Sequence, residues 1–191
     1  IEIDVFKCLT GEIVVFHDKS LDKLTDGSGL IEEKTLEELK ELRVLGSQEQ
    51  IPTLLEVIKS IDEDVFLNIE LKGRNTAEES LDLVKKYVIK SDNILFSSFN
   101  WEELKDLRKL DSEIKIALIT REDPLLAINP ALSLNAIAIN PSYKSLNNNN
   151  TSEIYKAGLK IYTWTVNDTV QISKMINLGV HGIITDFPEK I

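Results

Sequence analysis

Four times the chain sets a capping residue three positions before a glutamate and follows it with an amphipathic run: Thr35/Glu38, Thr53/Glu56, Thr76/Glu79 and Asn100/Glu103. A cap oxygen that takes the third helical N–H, with a glutamate reaching back to the cap's own N–H, satisfies donors a helix start otherwise leaves open. The pattern predicts helices over "TLEELKELR", "TLLEVIKSI", "TAEESLDLVKKYVIK" and "NWEELKDLRKL". A later helix follows Asn167 through "TVQISKMINLG" and stops at Gly179. Between helices lie short β-rich runs at residues 1–6, 65–71, 94–96, 114–119, 136–139, 159–164 and 182–185. They are apolar more than alternating, as parallel strands covered by helices should be.

Strand and helix therefore alternate, and the closed solution for that order is an α/β eight-stranded barrel, the TIM fold. Seven strands leave it one short, and the expectation is a first strand upstream of residue 1, with residues 1–191 a single, N-terminally truncated barrel domain. The open alternative, a doubly wound sheet, lacks a Gly-rich phosphate turn. Residues 147–150, all asparagine, read as an exposed loop leading into a helix near Thr151.

Composition narrows the function classes. A net charge of −10 argues against nucleic acid or an anionic membrane surface as partner. The single cysteine, Cys8, excludes an intramolecular disulfide. No apolar stretch approaches the roughly 18–20 residues that span a bilayer. A cytoplasmic location is the expectation, with a removed signal peptide as the alternative; the oligomeric state is unspecified.

Barrel active sites stand at the carboxyl ends of strands. In the first run, Glu2 and Asp4 share one face; in "VFLNIELK", Asn68, Glu70 and Lys72 share another. Burying three carboxylates together costs several kcal/mol per charge unless a divalent cation with oxygen ligands, such as Ca²⁺ or Mg²⁺, relieves it. Lys72 could relieve it instead through a salt bridge to Glu70. The run Ile13-Val14-Val15-Phe16 delivers His17-Asp18 to the same region. A histidine there either packs as a structural residue or gives a proton to a leaving oxygen near neutral pH. In "KIYTWTVN", Tyr162 and Trp164 share a face and are either core or the apolar wall of a ligand pocket. Asp186 caps a turn or lines the mouth. His181 precedes its strand and takes no role, and Arg121-Glu122-Asp123 reads as a solvated charged loop.

These segments resemble the glycerophosphodiester phosphodiesterase family. The matching pieces, in family order, are "IEIDVFKCLTGEIVVFHDKSLDKLTDGSG", "IPTLLEVI", "LNIELKG", "SSFN", "YTWTVN" and "LGVHGIITDFP". The resemblance implies a metal-dependent hydrolase that cleaves glycerophosphodiesters to glycerol phosphate and an alcohol. It implies metal ligation by Glu2, Asp4 and Glu70, acid–base catalysis by His17, and approach of Lys72 to the substrate phosphate. It places Phe99 and Trp164 in substrate binding, Trp164 at the glycerol end. The family's His-Arg-Gly strand end is absent from these residues, so the 191 residues are expected to be inactive or poorly active by themselves. Two alternatives remain at this point. One is a catalytically dead barrel that binds a cation and glycerophosphoryl ligands or a protein partner. The other is a barrel enzyme using a divalent ion for enolisation, which lacks a convincing late-strand base.

Overall fold

The computed structural model describes residues 1–88 and 91–191, and its contacts divide the chain into two compact units. The first comprises residues 1–96 and 100–114, the second residues 97–99 and 115–191.

In the first unit, β1 (Glu2–Lys7) turns back into β2 (Ile13–Val15), and β3 (Leu67–Leu71) and β4 (Ile94–Ser98) follow, the end of β4 belonging to the second unit. The sheet order is β2-β1-β3-β4. β1 and β3 run parallel with Glu2 opposite Asn68 and Asp4 opposite Glu70, so the acidic faces predicted from each strand coincide. β2 is not among the seven predicted strands. It is a short antiparallel partner of β1, with Val5 opposite Val15.

The helices of this unit are α1 (Leu36–Glu41), α2 (Leu54–Ser60), α3 (Ala77–Tyr87) and α4 (Trp101–Leu110). Thr35/Glu38 and Thr53/Glu56 form the expected capping boxes. Thr76/Glu79 does not: the Thr76 side chain caps nothing at this helix start, and Glu79 pairs with Lys7 instead. Positions 89 and 90 of the helix expected over 76–90 lie outside the described residues. Asn100 caps α4 through Glu102 rather than Glu103. Glu103 leaves its own helix start and accepts from the backbone N–H of Asn75 (2.7 Å), Thr76 (3.0 Å) and Ala77 (3.3 Å), and from the Thr76 hydroxyl (3.3 Å). A buried carboxylate thus caps α3, where the helix dipole favours negative charge. The stretch between β2 and α2 is no bare loop. Phe16, Leu21, Ile31 and Leu39 are buried together with Phe6, Val14 and Ile51 in a small core of their own.

The second unit contains β5 (Ile116–Thr120), α5 (Ile128–Ser133), β6 (Ala138–Pro141), α6 (Asn148–Lys156), β7 (Lys160–Thr163), α7 (Thr169–Asn177) and β8 (Gly182–Ile183). Its strands follow the order β5-β6-β7-β8, each neighbouring pair parallel. Residues 147–150 are a correction. Asn147 caps α6 and Asn150 closes the capping box from inside the helix, buried, with its Nδ2 donating to Ser145 at 2.7 Å. Asparagine is among the best N-caps, so a run of four starts a helix as readily as it makes a loop. Gly179 follows the last turn of α7 at φ +78°, a left-handed position that suits glycine and ends the helix where expected. Among the described residues no helix is long and apolar enough to cross a membrane.

Candidate active site

The β1–β3 register brings one oxygen from each of Glu2, Asp4 and Glu70 within 4.8 Å of one another. Two further bonds hold the turn beyond β2 against this pair. Phe16 N–H donates to the Asp4 carbonyl at 3.0 Å, and the Lys72 ammonium donates to the His17 carbonyl at 2.7 Å. Lys72 also lies 3.2 Å from Asp4 Oδ1, so its ion pair is with Asp4, not with Glu70 as the sequence alternative had it. Glu70 is buried, and its Oε1 has no hydrogen-bond partner among the described residues.

Burial first, and then the negative charges of Asp4 and Glu2, push the Glu70 carboxyl up to about 8, against the opposing pull of Lys72. Burial also raises Asp4, with Lys72 and then His17 pulling it back down. An acid trio in which Asp4 and Glu70 resist ionisation, and in which a buried Glu70 oxygen lacks a partner, is a donor set suited to a hard divalent cation. Lys72 alone does not neutralise it. His17 is exposed, with 70% of its side chain accessible, and its Nδ1 is 2.5 Å from Asp18 Oδ1.

In the second unit, Phe99 and Trp164 meet edge to face, their centroids 5.3 Å apart at 85°. Trp164 donates from Nε1 to the Asn140 carbonyl at 2.8 Å, which fixes the indole plane. Arg121-Glu122-Asp123 is an exposed loop, as expected, and Arg121 also reaches two rings. Its guanidinium lies 5.3 Å from the Phe99 centroid and 5.4 Å from that of Trp164. Asp186 accepts from Asn167 Nδ2 at 2.7 Å, while Asn167 Oδ1 takes the Thr185 hydroxyl and the Asp186 N–H. Asp186 thereby closes a turn, the first of the two readings given to it. His181 fastens β8 to β7 through Ile161.

The family model described as glycerophosphoryl diester phosphodiesterase matches residues 1–190. The chain belongs to that family. A glycerophosphodiester phosphodiesterase of Caldanaerobacter subterraneus is 34% identical over 203 residues, spanning 100% of this chain and 83% of the relative. Among solved structures, an Oleispira antarctica phosphodiesterase in complex with the product sn-glycerol-3-phosphate superposes with a TM-score of 0.93 at 32% identity, over 100% of this chain and 82% of that one. A Thermotoga maritima glycerophosphodiester phosphodiesterase gives 0.79 at 29% identity, over 97% and 80%. The barrel fold class and the phosphodiesterase class of enzyme read from the sequence are those of this glycerophosphoryl diester phosphodiesterase family.

For a member of the family, the electrostatics of the trio predict a pH effect on the metal-free protein. The Glu70 carboxyl is raised, so the folded state keeps a proton that the unfolded chain releases above about 4.5. Its contribution to stability is therefore present below that value and lost as pH rises towards about 8. With chelator present, the melting temperature is expected to fall across that window, and an added divalent cation is expected to restore more of it at pH 8 than at pH 5. A melting temperature that rises steadily over the same range contradicts the assignment.

Proposed function

We propose that the chain hydrolyses glycerophosphodiesters to glycerol phosphate and an alcohol with the help of a divalent cation, Ca²⁺ or Mg²⁺. The observation that carries the reading is the family match over nearly the whole chain, supported by the acidic trio standing on paired strands. Glu2, Asp4 and Glu70 would hold the ion. When bound, the ion supplies positive charge against the phosphoryl oxygens as they gain negative charge.

The chain's own groups do the rest. Lys72, already bridging Asp4 and the His17 carbonyl, adds a second positive charge facing the phosphate oxygens and holds the β2 turn in place. His17 moves the proton. Because Asp18 engages Nδ1, the proton delivered to the departing alkoxide resides on Nε2, the nitrogen left free. Phe99 and Trp164 give the organic part of the substrate an apolar wall.

The test is release of glycerol phosphate from a glycerophosphodiester by the full chain, measured with a coupled enzyme in chelator and again after addition of Mg²⁺ or Ca²⁺. Chelator-sensitive release that the ion restores supports the proposal, and no release under any metal condition defeats it. His17→Gln is expected to lower kcat by roughly 10²–10⁴-fold, the usual contribution of a positioned acid, with little change in melting temperature because the ring is exposed. An unchanged kcat removes His17 from the mechanism.

A further inference from the structure

The 2.7 Å bond from the Lys72 ammonium to the His17 carbonyl is one of two bridges between these stretches of chain. Two residues beyond His17, the Lys19 ammonium lies 3.2 Å from Glu32 Oε2. Two residues beyond Lys72, the Arg74 N–H donates to Glu32 Oε1 at 3.4 Å. Residues 17–19 and 72–74 are therefore joined at both ends, with Glu32 as the outer link. The Lys19 carbonyl takes the Ile31 N–H at 3.0 Å, and the Lys72 and Gly73 N–H groups donate to the Val5 carbonyl at 3.1 and 3.2 Å. All of these residues belong to the first unit, so the rim beside His17 is built within it.

The charges at this rim do not cancel. Asp18 engages His17, and Glu32 is paired with Lys19. Arg74 is left over: it is exposed, and among the described residues no carboxylate pairs with its guanidinium. Lys19, Glu32 and Arg74 together carry one net positive charge, on a chain whose net charge is −10. A guanidinium binds a carboxylate or a phosphate through two parallel N–H bonds, and it repels an ammonium.

Resting on the phosphodiesterase reading, we propose that Arg74 selects the charge of the leaving alcohol. The chain favours glycerophosphodiesters whose alcohol bears an anionic group, a carboxylate or a phosphate, over those whose alcohol bears an ammonium. In that reading His17 delivers its proton to the departing oxygen, so the substituent on that oxygen lies on the His17 side of the site. There it meets the rim of Lys19, Glu32 and Arg74. The rim is open to water, which keeps the effect modest. One unit charge at ~7 Å in a water-like dielectric changes binding about threefold.

The experiment measures kcat/KM by ³¹P NMR for the glycerophosphodiesters of choline, of its uncharged tert-butyl isostere, of glycolate and of ethylene glycol phosphate. It uses the metal-loaded full chain, Arg74→Met and Arg74→Glu. The wild type is expected to cleave both anionic esters faster than the uncharged one, and the choline ester more slowly. In Arg74→Met the ratio of anionic to choline ester is expected to fall roughly tenfold, about threefold for the lost attraction and about threefold for the lost repulsion. Arg74→Glu should carry it further the same way. In about 1 M salt, where charges are screened beyond about 3 Å, the wild-type ratio should shrink towards that of Arg74→Met. A ratio does not depend on how much of a variant is folded. A preference for only one of the two anionic esters, lost in Arg74→Met, supports the proposal and names the source of the anion. Wild-type ratios in both variants overturn it, as does a wild type that prefers the choline ester to the uncharged isostere. Absence of hydrolysis of every ester by the wild type instead overturns the phosphodiesterase reading on which the proposal rests.

Discussion

Glu70→Gln is expected to raise the melting temperature of the metal-free protein at pH 8 while lowering turnover of the metal-supplied protein by roughly 10³-fold, the scale of losing a preorganised electrostatic group. The two effects have one cause. In the metal-free fold, ionising Glu70 places a third negative charge beside Asp4 and Glu2 in a buried position. The upward push of its carboxyl to about 8 makes that ionisation cost on the order of 3–5 kcal/mol. Glutamine keeps the shape and removes the charge. For a chain of this size the gain amounts to roughly 5–15 °C. At pH 5 the wild-type carboxyl is protonated in the fold, so the two proteins should melt close together. Thermal melts in chelator at both pH values check this. A variant that melts lower than the wild type at pH 8 marks Glu70 as a structural residue and removes it from the site.

Glu103→Ala should act in the opposite direction. Glu103 is as buried as Glu70, but it receives the N–H groups of Asn75, Thr76 and Ala77 and the Thr76 hydroxyl, four bonds from the entry to α3. Truncation leaves the buried Thr76 and Ala77 N–H groups without this acceptor, whereas Asn75 is exposed and the Thr76 hydroxyl keeps the Gly73 carbonyl; an unsatisfied buried group costs about 1–3 kcal/mol. The expected loss is roughly 3–5 kcal/mol, or about 10 °C in melting temperature, with kcat of the folded fraction unchanged. Glu103→Gln retains one acceptor oxygen and should recover part of the loss. Urea denaturation of both variants measures this, and an alanine variant within about 0.5 kcal/mol of the wild type contradicts the capping role. Two buried glutamates therefore carry opposite signatures: neutralising Glu70 stabilises the metal-free fold, and deleting Glu103 weakens it.

The contrast between these two residues also shows what a one-dimensional reading can reach. Glu2, Asp4 and Glu70 were legible because strand alternation places each on a known face, and parallel pairing of β1 with β3 needs only the correct register to merge those faces. The capping boxes at Thr35 and Thr53 were legible because the motif is complete within four residues. At Thr76 the same motif misled, because the better acceptor, Glu103, arrives from a helix start 27 residues away and local sequence carries no sign of it. β2 was hard to count as a strand because its pairing needs only three residues. The helical role of residues 147–150 was hidden by composition: a run of identical polar residues reads as low complexity, although Asn147 and Asn150 sit at cap and third position.

Arg121 lies exposed in a charged loop, as read, but its contact with two rings was not legible. In "IALITRED" it looks like the start of a charged loop, yet it continues the face of Ala117 and Ile119 one step past the strand. Its ring partners lie 22 positions before it and 43 after it, a contact that only the folded chain discloses.

The most direct measurement is calorimetric titration of Mg²⁺ or Ca²⁺ into the metal-free full chain, repeated with Asp4→Asn and Glu70→Gln, each variant first shown to be folded by its thermal melt. The account predicts one ion bound per chain by the wild type and binding lost or severely weakened in both variants. Binding by both variants at wild-type affinity, or no binding by the wild type, contradicts a cation held by Glu2, Asp4 and Glu70.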